Sequence, residues 1–162
     1  MKRPARFFRA GVGVVIANRQ GRVLVCERTD VPGAWQFPQG GLEAGEAPLD
    51  AAAREAEEET GVPRQTLRLR RRYPEPLAYE LPAAAQSART GMGQVQYWFL
   101  FMLADETAVR LPAHGEFRAA TWVTFDKAVA RTVGFRKALY RHLRREFQSS
   151  IAADGRARQK PR

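Results

Sequence analysis

Apolar residues change their spacing several times along this chain, and each change marks an element. Arg9 to Ala17 is valine-rich and Arg22 to Glu27 alternates apolar with polar residues. The two segments predict strands joined through the turn residues Asn18, Arg19, Gln20 and Gly21. Thr29 to Ala34, with Pro32 and Gly33, predicts a loop. The pattern turns helical from about Pro48 to Thr60: proline suits a first turn, four alanines fall between positions 51 and 56, and Gly61 offers a left-handed stop. Leu67 to Tyr73, Gln94 to Leu103 and Phe117 to Phe125 predict further strands. Between them, Tyr73 to Gly93 has little periodicity and several prolines and glycines, the mark of a functional or mobile segment. Asp126 suits the cap of a short helix, and Val133 to Phe147 predicts the last helix, with Leu139, Leu143 and Phe147 four residues apart on its core side. Strands before and after one long helix, closed by a final helix, define an α/β fold with a mixed sheet covered by helices. Residues 1–148 read as one domain. Residues 149–162 have few apolar residues and four basic ones, so a disordered basic tail is expected there, dispensable for stability and catalysis.

Composition narrows the class. A chain of 162 residues with 44% hydrophobic content supports a single core. Its net charge of +10 points to a polyanionic partner or substrate. The single cysteine, Cys26, excludes an internal disulfide and fits a reducing compartment, so a cytoplasmic protein is expected. Cys26 lies in an apolar strand pattern and reads as a buried structural thiol. The apolar run from Tyr97 to Ala104 is too short to span a bilayer, and Met1 to Phe8 is basic without the apolar core of an export signal. No membrane partner is expected.

The predicted helix breaks a local rule at its end. Glu55, Glu57, Glu58 and Glu59 crowd the last turns, beside the negative end of the helix dipole, at spacings where like charges repel. Such a violation marks a candidate site. Glu55, Glu58 and Glu59 project from one face, where their oxygens can converge on a metal, and an all-carboxylate set favours Mg2+ first and Mn2+ second. Arg54 is placed to pair with Glu57 or Glu58. Upstream, Pro38, Gly40 and Gly41 bring backbone close to whatever the glutamates hold.

The 23 residues from Gly40 to Val62 resemble the signature of the Nudix hydrolases, met by Gly40, Glu46, Arg54, Glu55, Ala56, Glu58, Glu59, Gly61 and Val62. Further stretches look like the bacterial RNA pyrophosphohydrolase branch, which merges into enzymes that split diadenosine tetraphosphate. These are Phe8 to Gly13, Asn18 to Gly21, Trp35 to Gly41, Gly93 to Phe99, Gly115 to Phe117 and the pair Phe135-Arg136. The resemblance implies an α/β/α sandwich and removal of pyrophosphate from the 5′ end of triphosphorylated RNA, which promotes mRNA decay. Dinucleoside polyphosphate hydrolysis is the alternative. DNA is not an expected partner. The resemblance also implies roles: Glu55, Glu58, Glu59 and Glu116 as catalytic carboxylates that hold Mg2+ or Mn2+ together with Gly40, and Arg9, Arg28, Gln39, Tyr79 and Arg136 as substrate contacts. Phe135 matches an aromatic that stacks on a base. Arg136 departs from the lysine common at its position, which keeps the charge and changes the geometry. A non-catalytic binding module on the same scaffold would have lost signature glutamates, and none is lost.

Overall fold

The computed structural model describes residues 6–157. Its centre is a pair of long strands, β1 (Phe8–Ala17) and β7 (Gly93–Met102), which run parallel in continuous register from Phe8 opposite Gly93 to Ala17 opposite Met102. Around them the strands are antiparallel. β2 (Val23–Arg28) lies between β1 and the two-residue β3 (Trp35–Gln36), and also pairs with β8 (Phe117–Val123). β4 (Gln39–Gly41) pairs with β1, while β5 (Arg68–Arg72) and β6 (Leu77–Glu80) both pair with β7. The sheet is therefore mixed, as expected.

Alternation along the central strands divides the core in two. On β1, Val12, Val14 and Ile16 face one side with Phe99, Phe101 and the alanines of α1 (Pro48–Thr60). Val15 and Ala17 face the other side with Trp98, Leu100 and the apolar stripes of α2 (Phe125–Arg131) and α3 (Lys137–Ala157). The result is a sheet covered by helices on both faces, the predicted α/β sandwich. Cys26 is buried, and burial pushes its thiol up, away from the thiolate.

The helix around the signature has the predicted limits, with Pro48 in the first turn and Gly61 at φ 73° after the last. Three other expectations change. The Tyr73-to-Gly93 segment contains β6, held to β7 through Tyr79 opposite Gln94. The short second helix is capped by the Thr124 side chain, not by Asp126, which sits inside its first turn. The last helix also does not stop at Phe147. It continues through residues 149–157, and Ile151, 1% exposed, extends the buried series Leu139, Leu143, Phe147 by one more step of four. One apolar residue at the right spacing recruits a segment whose composition alone reads as disordered. Residues 158–162 of the expected tail lie outside the described residues.

Candidate functional site

The site begins where β4 and α1 press together. Val12 pairs with Gly40 and Gly11 with Gly41 across the β1–β4 ladder. A Cβ on Gly40 would stand 1.9 Å from the Glu55 carboxyl carbon, so only glycine lets α1 set that carboxylate against the strand backbone. Burial raises the Glu55 pKa, the hydrogen bond and charge of Arg54 oppose this, and Glu58 and Glu116 add to the rise.

Arg54 does more than the sequence suggested. Its Nε and Nη2 donate to the two oxygens of Glu46 at 2.7 and 2.9 Å, and Nη2 also donates to the Gly41 carbonyl at 3.1 Å. Nη1 reaches Glu55 at 2.8 Å and Glu58 at 3.3 Å. The guanidinium thus ties the loop before α1 to the acidic face of that helix. Glu46 is held down to a pKa of about 2 by Arg54, with help from the Glu43 N–H. Glu57 takes no part in this group: it binds Arg64 through the side chain and through the Arg64 N–H. Sequence reasoning assigned Glu46 no role. The signal available was its fixed spacing from Arg54, but a loop residue eight positions away has no helical rule to predict its pairing.

Glu59 is 8% exposed and accepts the Gln39 N–H at 3.0 Å. Its carboxyl also meets that of Glu116, which comes from the loop before β8. Burial first, and the Glu116 charge second, raise the Glu59 pKa well above the usual carboxylate range. Arg28 holds the other end of this contact: it forks onto Asp30 at 2.7–2.8 Å and reaches Glu116 at 3.2 Å. Arg9, exposed at the end of β1, lays its guanidinium against Gly41.

The expected convergence of Glu55, Glu58 and Glu59 is incomplete. Among the described residues no three acidic or histidine side chains are gathered tightly enough to enclose an ion. Glu58, with its side chain 57% exposed, is drawn outward to Arg54. The residues still fit a hard divalent cation. Two carboxylates in contact, one of them buried, need a proton or a cation between them, and a set of carboxylate oxygens suits such an ion.

A second group lies on the opposite face of the sheet. Tyr79, Gln94 and Arg9 occupy one rung across β6, β7 and β1. The Phe135 ring stacks on Tyr79 with centroids 5.9 Å apart. Arg136 follows in the short turn before α3, its guanidinium over both rings and its Nη1 donating to Gln36 Oε1 at 2.8 Å. Tyr79 and Arg136 are buried, at 8% and 7% exposure, so Phe135 presents the ring and the other two back it. The Tyr79 hydroxyl and the Arg136 Nε are buried without a hydrogen-bond partner among the described residues, which leaves this group with unused polar capacity.

The two groups are joined by one stretch of chain. Gln36 anchors Arg136, and the Phe37 N–H donates to the buried Tyr140 hydroxyl at 2.8 Å. Gln39 gives its N–H to Glu59 while its side chain accepts from the fully buried Gln96 at 3.0 Å. Gln36 and Gln96 lie in stretches that carry the family resemblance, but the bonds they and Tyr140 make could not be read from the sequence, since the partner of a buried amide or hydroxyl is not local.

An acidic helix face, arginines and a glycine-tight strand together suit a class of proteins that act on anionic substrates. The chain belongs to the NUDIX domain family, whose model matches residues 7–143. It is 40% identical over 152 residues to the RNA pyrophosphohydrolase of Erythrobacter litoralis, covering 89% of this chain and 93% of that one. It is 43% identical over 138 residues to the RNA pyrophosphohydrolase of Rhodospirillum rubrum, covering 82% of each. Among solved structures it superposes on the E. coli dihydroneopterin triphosphate pyrophosphohydrolase with a TM-score of 0.70 at 24% identity, over 85% of this chain and 97% of that one, a likeness of fold.

Proposed function

We propose that this chain is an RNA pyrophosphohydrolase, which hydrolyses the 5′-triphosphate of RNA to a 5′-monophosphate and releases pyrophosphate. The observation that carries the reading is the link made by Gln36 and Gln39, which fixes a carboxylate group to an aromatic–arginine group on the other face of the sheet. A phosphate-only substrate needs the first group alone, and a base attached to the phosphates gives the second something to hold. The names of the two bacterial relatives support it.

Mg2+, or Mn2+ in its place, would be held by Glu55, Glu58, Glu59 and Glu116 with the carbonyl of Gly40. When bound, such an ion neutralises phosphate charge and lowers the pKa of a coordinated water. The protein's own residues do the rest. Arg9 and Arg28 balance the remaining negative charge of the triphosphate. Phe135 stacks on the first base while Tyr79 and Arg136 fix its plane. Glu58 and Glu116, with side chains 57% and 44% exposed, are the carboxylates open to the attacking water. One of them takes its proton as the water oxygen bonds to phosphorus, the phosphoanhydride bond breaks, and the electron pair leaves with pyrophosphate. We place the reaction in the cytoplasm, where triphosphorylated transcripts arise.

The test is turnover of a triphosphorylated oligonucleotide and of diadenosine tetraphosphate, side by side with saturating Mg2+. At least tenfold higher kcat/KM on the RNA is expected. The reverse order would make the protein a dinucleoside polyphosphate hydrolase.

A further inference from the structure

Much of the positive charge of this chain lies away from the carboxylates. α2 and α3 enclose a groove of about 730 Å3 lined by Lys137, Arg141, Arg144 and Arg145 on one wall and Asp126 on the other. The four cations fall at positions i, i+4, i+7 and i+8 of α3, which is one stripe of a helix. At 1.5 Å per residue the stripe is about 12 Å long. That is the reach of about three stacked nucleotides at 3.4 Å each.

Most of this charge is unanswered. Arg144 is neutralised in place by Asp126 at 2.8 Å. Arg145 donates to a His142 ring nitrogen at 3.3 Å, not to a carboxylate. Lys137 and Arg141 form no ion pair among the described residues, and Arg141 is exposed. The stripe also has a direction. Lys137 follows Arg136 immediately, so it starts beside the Phe135–Arg136 turn and runs away from it along α3.

We propose that this groove binds the phosphate backbone of the substrate RNA beyond its first base, extending the site along α3. The proposal rests on the RNA reading above. The apolar lining consists of Val129, Ala130 and Ala138, with no large anchor of the kind a protein partner would bury. Backbone recognition needs only spaced cations, and it carries no sequence preference.

The test uses the full chain and the double variant Lys137→Gln/Arg141→Gln, with Arg141→Lys as the charge-retaining control. Three RNA probes of matched sequence are compared in Mg2+: a triphosphorylated dinucleotide, a triphosphorylated 20-mer and a 5′-hydroxyl 20-mer. The double variant should bind the 5′-hydroxyl 20-mer at least fivefold more weakly. Its log-affinity slope against log salt should flatten by about 0.7 per lost phosphate contact. KM for the triphosphorylated 20-mer should rise by a similar factor, with kcat unchanged and dinucleotide turnover untouched, and Arg141→Lys should stay near wild type. Unchanged binding of both 20-mers by the double variant overturns the proposal and leaves an acidic protein surface as the complement of the groove. Failure of the RNA reading looks different: wild type then turns over neither triphosphorylated RNA, whatever the groove variants do.

Discussion

Ile151 offers a sharp test of the structure because it reverses what composition suggests. Its side chain is buried at the end of α3 in the same core cluster as Tyr140, Leu143 and Phe147. Gly21, in the turn after β1, lies against it, with the position of a Cβ there 3.7 Å from the Ile151 Cγ2. Ile151→Ala removes buried methyl and methylene groups and leaves a cavity, which costs about 2–5 kcal/mol at core sites. A helix end can partly collapse into the space, so a value of about 3 kcal/mol is expected. For a domain of this size that lowers Tm by about 6–12 °C. Truncation after Gln148 removes the same side chain together with its helical turns, so it should destabilise at least as much. The assay is thermal denaturation followed by far-ultraviolet circular dichroism, paired with turnover at 20 °C where both variants remain folded. Activity per folded molecule should be retained, because no residue of the carboxylate or aromatic group lies beyond Arg136. A truncated protein with the wild-type Tm would show that the last turns of α3 do not pack, and the reasoning from periodicity would fail.

Three further outcomes follow from the site. Glu59→Gln removes a buried carboxylate that is pressed against Glu116, so the metal-free variant should melt at or above wild type, and Mg2+ should stabilise it less; wild-type-like stabilisation by Mg2+ would exclude Glu59 from the metal group. Glu46 has its pKa depressed from 4.5 to about 2, so its contribution to stability is present above 4.5 and lost as pH falls through 2. The Tm difference between wild type and Glu46→Gln should therefore shrink across that window, and a difference independent of pH would show that the Arg54 pairing does not stabilise the loop. Phe135→Ala should weaken use of triphosphorylated RNA by about 1–3 kcal/mol, one stacked base; a large drop in Tm with unchanged activity per folded molecule would make Phe135 a core residue instead.

The legibility of this chain followed the range of the interactions involved. α1 could be read to the residue because its limits are set locally, by Pro48 and by the left-handed Gly61. The acidic residues could be singled out because a run of glutamates at a helix C-terminus violates a local rule. What actually compensates them could not be read: Arg54 reaches back to Glu46 and Gly41, and Gln39 answers Glu59 from twenty residues away. Short strands such as β4 and β6 are too brief to show a period and exist only through their ladders to β1 and β7. The end of α3 differs for another reason: its polar, basic composition argues for disorder, but the four-residue step from Leu139 continues to Ile151 and packs those turns on the core.

The central claim is that the glutamate face of α1 performs phosphoanhydride hydrolysis on RNA. Glu58 tests it most directly, because its side chain is largely exposed and its only ion pair among the described residues, with Arg54 at 3.3 Å, is long. Glu58→Gln keeps the shape and removes the charge. Pyrophosphate release from a triphosphorylated oligonucleotide, measured for both proteins at saturating Mg2+ and with matched melting curves, should fall by at least a hundredfold, because the variant loses a charge assigned to holding the metal whichever of Glu58 and Glu116 takes the proton. Near-normal release by a fully folded Glu58→Gln protein would contradict the account.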